Sequence, residues 1–187
     1  MRIIGGQMRG LHLAAVGKGD AAAHLRPTSD RVREAIFNLL INGGYGDPVN
    51  GARVLDLFAG TGALGLEALS RGAGHASFVD DGLTAQALIR QNIALTGAAA
   101  RTDLLRRDAT ALPPNRRAPY ALVFLDPPYA RSLGERALQA ALDGGWLAPE
   151  ALVVWEENTA PVPPSTLALL DQRGYGETII SILRHRP

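Results

Sequence analysis

Residues 56–65 read DLFAGTGALG, and this stretch decides the fold. Upstream it completes an apolar run, RVLDLFA at 53–59, which reads as a buried strand. Downstream, ALGLEALSRG at 63–72 has the pattern of a helix. Between them Gly60, Gly62 and Gly65 spell G-x-G-x-x-G, a spacing that turns a strand tightly into a helix. The same alternation repeats along the chain. HASFVD (75–80) predicts a strand and TAQALIRQNIALTG (84–97) a helix. TDLLRR (102–107) and ALVFLD (121–126) predict strands, GERALQAALDGG (134–145) a helix and ALVVWEE (151–157) a strand. Strands alternating with helices argue for an α/β, Rossmann-like, mostly parallel sheet covered on both faces. The tail TLALLDQRGYGETIISIL (166–183) instead predicts two strands joined across RGYG, so the sheet ends in an antiparallel hairpin. The Pro-rich APVPPS (160–165) is a connector inside the domain.

Before the sheet, residues 1–26 hold short apolar runs broken by glycines, which predicts a small hairpin or arm. In TSDRVREAIFNLL (28–40), Val32, Ala35, Ile36, Leu39 and Leu40 fall on one helical face. Thr28 or Ser29 is placed to cap that helix and Gly43-Gly44 to stop it. The expected organisation is one domain over 1–187: an arm at 1–26, a leading helix at 27–44 and the main sheet at 51–187. Composition agrees with this reading. A chain of 187 residues, 47% hydrophobic and 20% charged, has the size and core of a single globular domain. No apolar run reaches the roughly eighteen residues of a membrane span, and the start MRIIGGQMRGLHL is too polar for a signal peptide. A cytoplasmic location and no membrane partner are therefore expected. No obligate protein partner is evident either. With no cysteine there is no thiolate ligand, disulfide or cysteine nucleophile. His12, His24, His75 and His185 show no ligand spacing, so no metal is expected. The net charge is only +1, yet arginines gather at 101–117 and in the amino-terminal third, leaving room for a polyanion.

The glycine loop matches a dinucleotide fingerprint, since Asp80 closes the next strand twenty residues after Gly60. Asp56 argues against that ligand. A carboxylate near the carboxyl end of the first strand would repel a pyrophosphate and attract an ammonium. S-adenosylmethionine carries an ammonium and a sulfonium and no phosphate, so it fits the order D-x-F-x-G-x-G better. Asp80 would then accept from the two ribose hydroxyls, and Asp108 would stand where the adenine amino group arrives. Any one of these acids alone is an ordinary turn residue; together they would line one crevice. Phe58 and Ala109 are assigned to the same crevice.

A second motif lies at 123–130, VFLDPPYA. Two prolines cannot continue a sheet, so Asp126 and Tyr129 are held on a stiff turn at the end of a strand. A carboxylate there, with the Pro127 carbonyl, can accept both protons of an exocyclic amine and aim its lone pair at a methyl group. Tyr129 can stack on a base turned out of its helix. Methylation at ring carbon through a covalent adduct would need a cysteine, which the chain lacks. The motif itself permits guanine N2, adenine N6 or a protein amide as acceptor. A nicotinamide oxidoreductase and an RNA-binding module without chemistry are the competing classes.

Taken with MRIIGGQMRG (1–10), RPTSDRVREAIFN (26–38), DLFAGTGALGLEALSRGA (56–73) and YGET (175–178), the chain resembles the bacterial RsmD-type small-subunit ribosomal RNA guanine-N2-methyltransferases. The resemblance implies a seven-stranded sheet whose last strand is antiparallel, S-adenosylmethionine as cofactor, and one guanine of small-subunit RNA as substrate, in an assembled particle. The expected catalytic residues are Asp126, Pro127 and Tyr129, and those expected at the cofactor are Asp56, Phe58, Gly60, Gly62, Asp80, Asp108 and Ala109. Arg9, Arg26, Arg31, Arg106 and Arg107 are the candidates for RNA contact; Arg31, Glu34 and Asn38 form a polar helix stripe that fits either solvent or such a role. One departure stands out. The family has glutamate and a second acid two residues on, where this chain has Asp80 and Gly82 in VDDG.

Overall fold

A computed structural model describes residues 1–15, 28–129 and 132–186. Arg26 and the end of the predicted arm lie outside the described residues. Seven strands, β1 (Arg53–Leu57), β2 (His75–Val79), β3 (Thr102–Leu105), β4 (Tyr120–Leu125), β5 (Leu147–Glu157), β6 (Leu167–Tyr175) and β7 (Thr178–His185), form one sheet in the order β3-β2-β1-β4-β5-β7-β6. β1 to β5 pair in parallel, and β7 pairs antiparallel with both β5 and β6. Strand order runs outward from β1 through β3 and then restarts at β4 on the other side of β1. The carboxyl ends of β1 and β4 therefore flank a topological switch point, where open α/β sheets bind ligands.

Alternation along the strands explains the two layers. Val54, Ala76, Phe78, Leu122, Phe124 and Val154 face α1 (Asp30–Asn42), α2 (Ala63–Ser70) and α3 (Leu83–Thr96) in one core. Leu55, Leu57, Val123, Leu125 and Trp155 face the other way, onto α4 (Leu133–Asp143). Successive residues of a strand point to opposite faces, so strands apolar throughout require cover on both sides.

Two boundaries differ from the sequence reading. β3 stops at Leu105, so Arg106 and Arg107 leave the ladder and stand exposed. The terminal hairpin turns one step later than RGYG suggests. Tyr175 still pairs with Thr178, and the tight turn is Gly176–Glu177, with Gly176 at φ 65°.

The arm is a small hairpin, closed by a bridge between Arg2 and His12 and by Ile3 N donating to Leu11 O at 2.9 Å. Glu67 of α2, fully buried, holds it in place. Its carboxylate accepts from the backbone N–H of Ile4 and of Gly5, each at 2.8 Å, and from Arg71 Nε at 2.7 Å. Arg33 belongs to the same buried cluster, 3.8 Å from Glu67 and 2.8 Å from Asp30. Counted by sequence among the amino-terminal basic residues, Arg33 is consumed inside the protein and is not a surface charge.

Candidate active-site cleft

A cavity of about 770 Å³ opens at the switch point. Its floor is the strand-to-helix turn after β1. Ser29 caps α1 by accepting from Val32 N at 3.2 Å, which turns the head of that helix toward the opening. Gly62 sits at φ 76°, a conformation that favours glycine, and starts α2. Gly65 has a different reason to be glycine: a Cβ there would meet the Phe78 ring at 2.4 Å. The third glycine of the motif thus lets α2 lie directly on β2. Phe58, at φ 58°, adopts a backbone region rare for a bulky residue, strain of about 1–3 kcal/mol that is typical of ligand sites.

Two carboxylates shape the glycine-loop half. Asp56 is 2% exposed and accepts from Gly65 N at 3.0 Å. Burial pushes its carboxyl up to about 8; the Gly65 hydrogen bond opposes this and Asp80 adds to it. Asp80 spreads its two oxygens over the loop, accepting from Gly60 N and Gly82 N at 2.9 Å each. Burial raises its titration too, against those two hydrogen bonds. Asp80 therefore fastens the glycine loop to the end of β2 whatever else it binds.

Across the cavity the DPPY turn closes β4. Asp126 N donates to Leu57 O at 3.4 Å, which keeps the turn beside β1. Part of the Asp126 side chain remains open to the cavity. Its oxygen Oδ2 accepts from the Thr28 hydroxyl at 3.0 Å, and the same hydroxyl lies 3.1 Å from Glu156 Oε2. Burial raises the Asp126 carboxyl well above the ordinary carboxylate range, neighbouring Glu156 adds to it, and Thr28 opposes. The Tyr129 hydroxyl lies 3.4 Å from both Glu156 Oε1 and Thr178 Oγ1.

Of the residues singled out by sequence, Asp56, Phe58, Gly60, Asp80, Asp126, Pro127 and Tyr129 share this cavity. Gly62, Asp108 and Ala109 do not line it. Asp108 instead accepts from Thr110 N at 2.8 Å and the Thr110 hydroxyl at 2.7 Å, capping the short 3-10 turn Ala109–Ala111, and Ala109 is buried behind it. Both of these bonds fall on Oδ1, so Asp108 holds the local turn with one carboxylate oxygen. Arg9, Arg31, Arg106 and Arg107 are exposed and outside the cavity lining; Arg31 lies on the first turn of α1, next to the lining residues Ser29 and Val32.

Glu156 and Asn92 are absent from the sequence reading, which offers Thr28 only as a candidate cap of α1. Asn92, buried in α3, exchanges hydrogen bonds with both backbone groups of Ala14 at 2.7 and 3.0 Å and donates to Thr61 O at 2.9 Å, joining the arm to the glycine loop. Glu156 had a readable signal, since like Asp56 and Asp80 it is an acid near the carboxyl end of an apolar strand. Among the described residues no group of three or more His, Asp or Glu is placed to hold a metal, and no helix is long and apolar enough to cross a membrane.

A seven-stranded sheet of this order, with β7 alone antiparallel to the other strands and an acid-bearing glycine turn at its switch point, defines the Rossmann-like methyltransferase class. Comparison agrees: the solved Escherichia coli yhhF structure superposes with TM-score 0.81 at 35% identity, covering 100% of this chain and 98% of that one. The family profile described as Conserved hypothetical protein 95 matches residues 1–184. Ribosomal RNA small subunit methyltransferase D of Escherichia coli strain K12 is 39% identical over 181 residues, 95% of this chain and 86% of that protein. YlbH of Bacillus subtilis strain 168 is 34% identical over 192 residues, the full length of both. This chain belongs to the ribosomal RNA small subunit methyltransferase D family.

Proposed function

We propose that this protein transfers a methyl group from S-adenosylmethionine to the exocyclic N2 amine of a guanine in small-subunit ribosomal RNA. One observation carries the reading: an acceptor carboxylate on a rigid turn, Asp126, faces the same cavity as the Asp56 and Asp80 glycine loop. The relatives' names point to ribosomal RNA of the small subunit. The donor chemistry of the cavity fits the cofactor. Asp56 is placed to meet an ammonium and Asp80 retains lone pairs for ribose hydroxyls beside its two backbone donors. When bound there, S-adenosylmethionine supplies an electrophilic methyl group on a positively charged sulfur.

The protein's own task is positioning. A guanine amine is a poor nucleophile because its lone pair is delocalised into the ring. Asp126 and the Pro127 carbonyl accept its two N–H bonds, which turns the lone pair out of the ring plane. Guanine offers N1–H beside N2–H, two donors that an acceptor-only carboxylate can bridge; adenine presents a lone pair at N1 instead. Tyr129, on the same turn, is available to stack on the extruded base, a contact worth about 1–3 kcal/mol. The deciding experiment incubates the protein and labelled cofactor with undermethylated small subunits, or with the naked RNA, and identifies the product nucleoside by mass spectrometry. N2-methylguanosine is expected. Exclusive N6-methyladenosine would overturn the choice of base, and labelling of neither would overturn the activity. Greater labelling of subunits than of naked RNA is expected for a substrate recognised in the assembled particle.

A further inference from the structure

We infer that Asp81 is a cofactor-binding residue: its carboxylate takes one ribose hydroxyl of the adenosine while Asp80 takes the other, so that two adjacent acids of VDDG hold the sugar. This deepens the function proposed above and rests on S-adenosylmethionine being the ligand of the cavity.

The geometry begins with Asp80, which is one methylene shorter than the glutamate of the family pattern. Both of its oxygens are held by the backbone: Oδ2 accepts from Gly60 N and Oδ1 from Gly82 N, at 2.9 Å each. The bond to Gly82 runs two residues forward and folds the side chain back along its own turn. Lone pairs remain on Asp80 for a hydroxyl, but the carboxylate is anchored and cannot swing to follow a second one. A ribose presents two hydroxyls on adjacent carbons, and holding both takes an acceptor for each. Position 82, where the family carries its second acid, has no room for one here. A Cβ on Gly82 would come 3.1 Å from Asp80 Oδ1, pressing on the oxygen that the Gly82 N–H holds.

The acid stands one step earlier instead. Asp81 is exposed and lines the cavity, and among the described residues no group hydrogen-bonds to or pairs with its carboxylate. It is close to its neighbour: burial is the main cause that raises the Asp80 carboxyl, and the charge of Asp81 adds to it. Gln86, buried in α3, donates to Asp80 O at 2.9 Å and fixes the backbone from which both acids project. One anchored acceptor beside one free acceptor suits a diol, whose two O–H groups donate to both. The same rim leaves an apolar side chain uncovered. Leu83 is 70% exposed and also lines the cavity. A free carboxylate two residues from an uncovered leucine matches a ligand that joins hydroxyl donors to a flat ring, as adenosine does. The nucleoside end of the cofactor thus falls to residues 80–83 after β2, and its ammonium end to Asp56 on β1.

Calorimetry with S-adenosylhomocysteine and with its 2′-deoxy and 3′-deoxy ribose analogues reads the contact without RNA and without turnover. Wild type should bind about 10-fold more weakly when the hydroxyl held by Asp81 is missing from the ligand. Asp81→Ala should bind S-adenosylhomocysteine about 5- to 20-fold more weakly than wild type and discriminate less than about 2-fold against loss of that same hydroxyl. Discrimination against loss of the other hydroxyl, on Asp80, should persist in the variant. Weaker binding with both discriminations unchanged would overturn the assignment, because Asp81 would then act only as a distant charge. Unchanged affinity for S-adenosylhomocysteine would overturn it as well. Failure of wild type to bind S-adenosylhomocysteine at all would instead remove the cofactor reading of the cavity, so the two failures are told apart.

Discussion

The two halves of the cavity use carboxylates in opposite ways. On the glycine-loop side, Asp56 and Asp80 are tied by backbone N–H groups of Gly65, Gly60 and Gly82. On the DPPY side, Asp126 and Glu156 are tied by side-chain hydroxyls of Thr28 and Tyr129. A backbone amide can only donate, so it fixes an oxygen in place as an acceptor. A hydroxyl can donate or accept, so it lets a proton sit on either partner. The first arrangement suits binding a ligand with ammonium and hydroxyl donors; the second suits chemistry in which a proton changes hands. Substitutions on the two sides should therefore separate binding from turnover.

The largest effect is expected from Asp126→Ala. Loss of the acceptor that aligns the amine should lower saturated kcat by about 10²–10⁴-fold, in the range of general-base removal, while calorimetric affinity for S-adenosylhomocysteine changes little. Loss of cofactor binding with kcat preserved would place Asp126 on the wrong side of the comparison.

Asp80→Ala should do the reverse. Removing the ribose acceptor and two loop hydrogen bonds should weaken cofactor binding about 10- to 100-fold and lower the thermal midpoint, with kcat at saturating cofactor within a few-fold of wild type. Unaltered cofactor affinity would leave Asp80 as a loop fastener alone.

Asp56 gives a test by pH. Its carboxyl, pushed up to about 8, is mostly neutral in the free protein at pH 7, whereas an ammonium prefers the anion. Affinity for S-adenosylhomocysteine should therefore rise as pH is raised from 6 toward 8, by up to about tenfold per unit, and then level off. Asp80 and Asp126 titrate in the same cavity, so the decisive control is Asp56→Asn, which should flatten the slope. The same shift has a sign for stability. A proton bound more tightly in the folded state contributes stability fully below the unfolded value near 4, and that contribution is lost as pH rises toward 8.

The smallest effects concern the rim. Each of Arg9, Arg31, Arg106 and Arg107 replaced by Ala should weaken RNA binding a few-fold regardless of sequence. The log–log salt dependence should become shallower by about one for each lost phosphate contact, in filter binding across a salt series. An unchanged slope in all four would make them solvated surface, and the cavity would then find its RNA by other groups.

How far the site was legible depends on how local each residue's role is. Gly60, Gly62 and Gly65 announce themselves because a strand-to-helix turn needs them within six residues, and DPPY because two prolines end a strand wherever they stand. Asp108 shows the limit of the same logic: an acid after a strand can cap its own turn as well as meet a ligand, and here one of its oxygens accepts both Thr110 donors. Thr28 read as a helix cap beside Ser29, and Ser29 took the cap, freeing the threonine for Asp126 and Glu156.

The sequence by itself determined the element order, the antiparallel ending and the two motifs that flank the cavity, because periodicity and turn chemistry act over a few residues. Only the tertiary structure decided which acids face the opening, that Arg33 is a buried partner of Glu67 rather than a surface charge, and that Thr28 joins two carboxyls on neighbouring strands. Those relations depend on strand order and register, which bring acids up to a hundred positions apart to one edge, and on the packing of the arm and α1 against that edge.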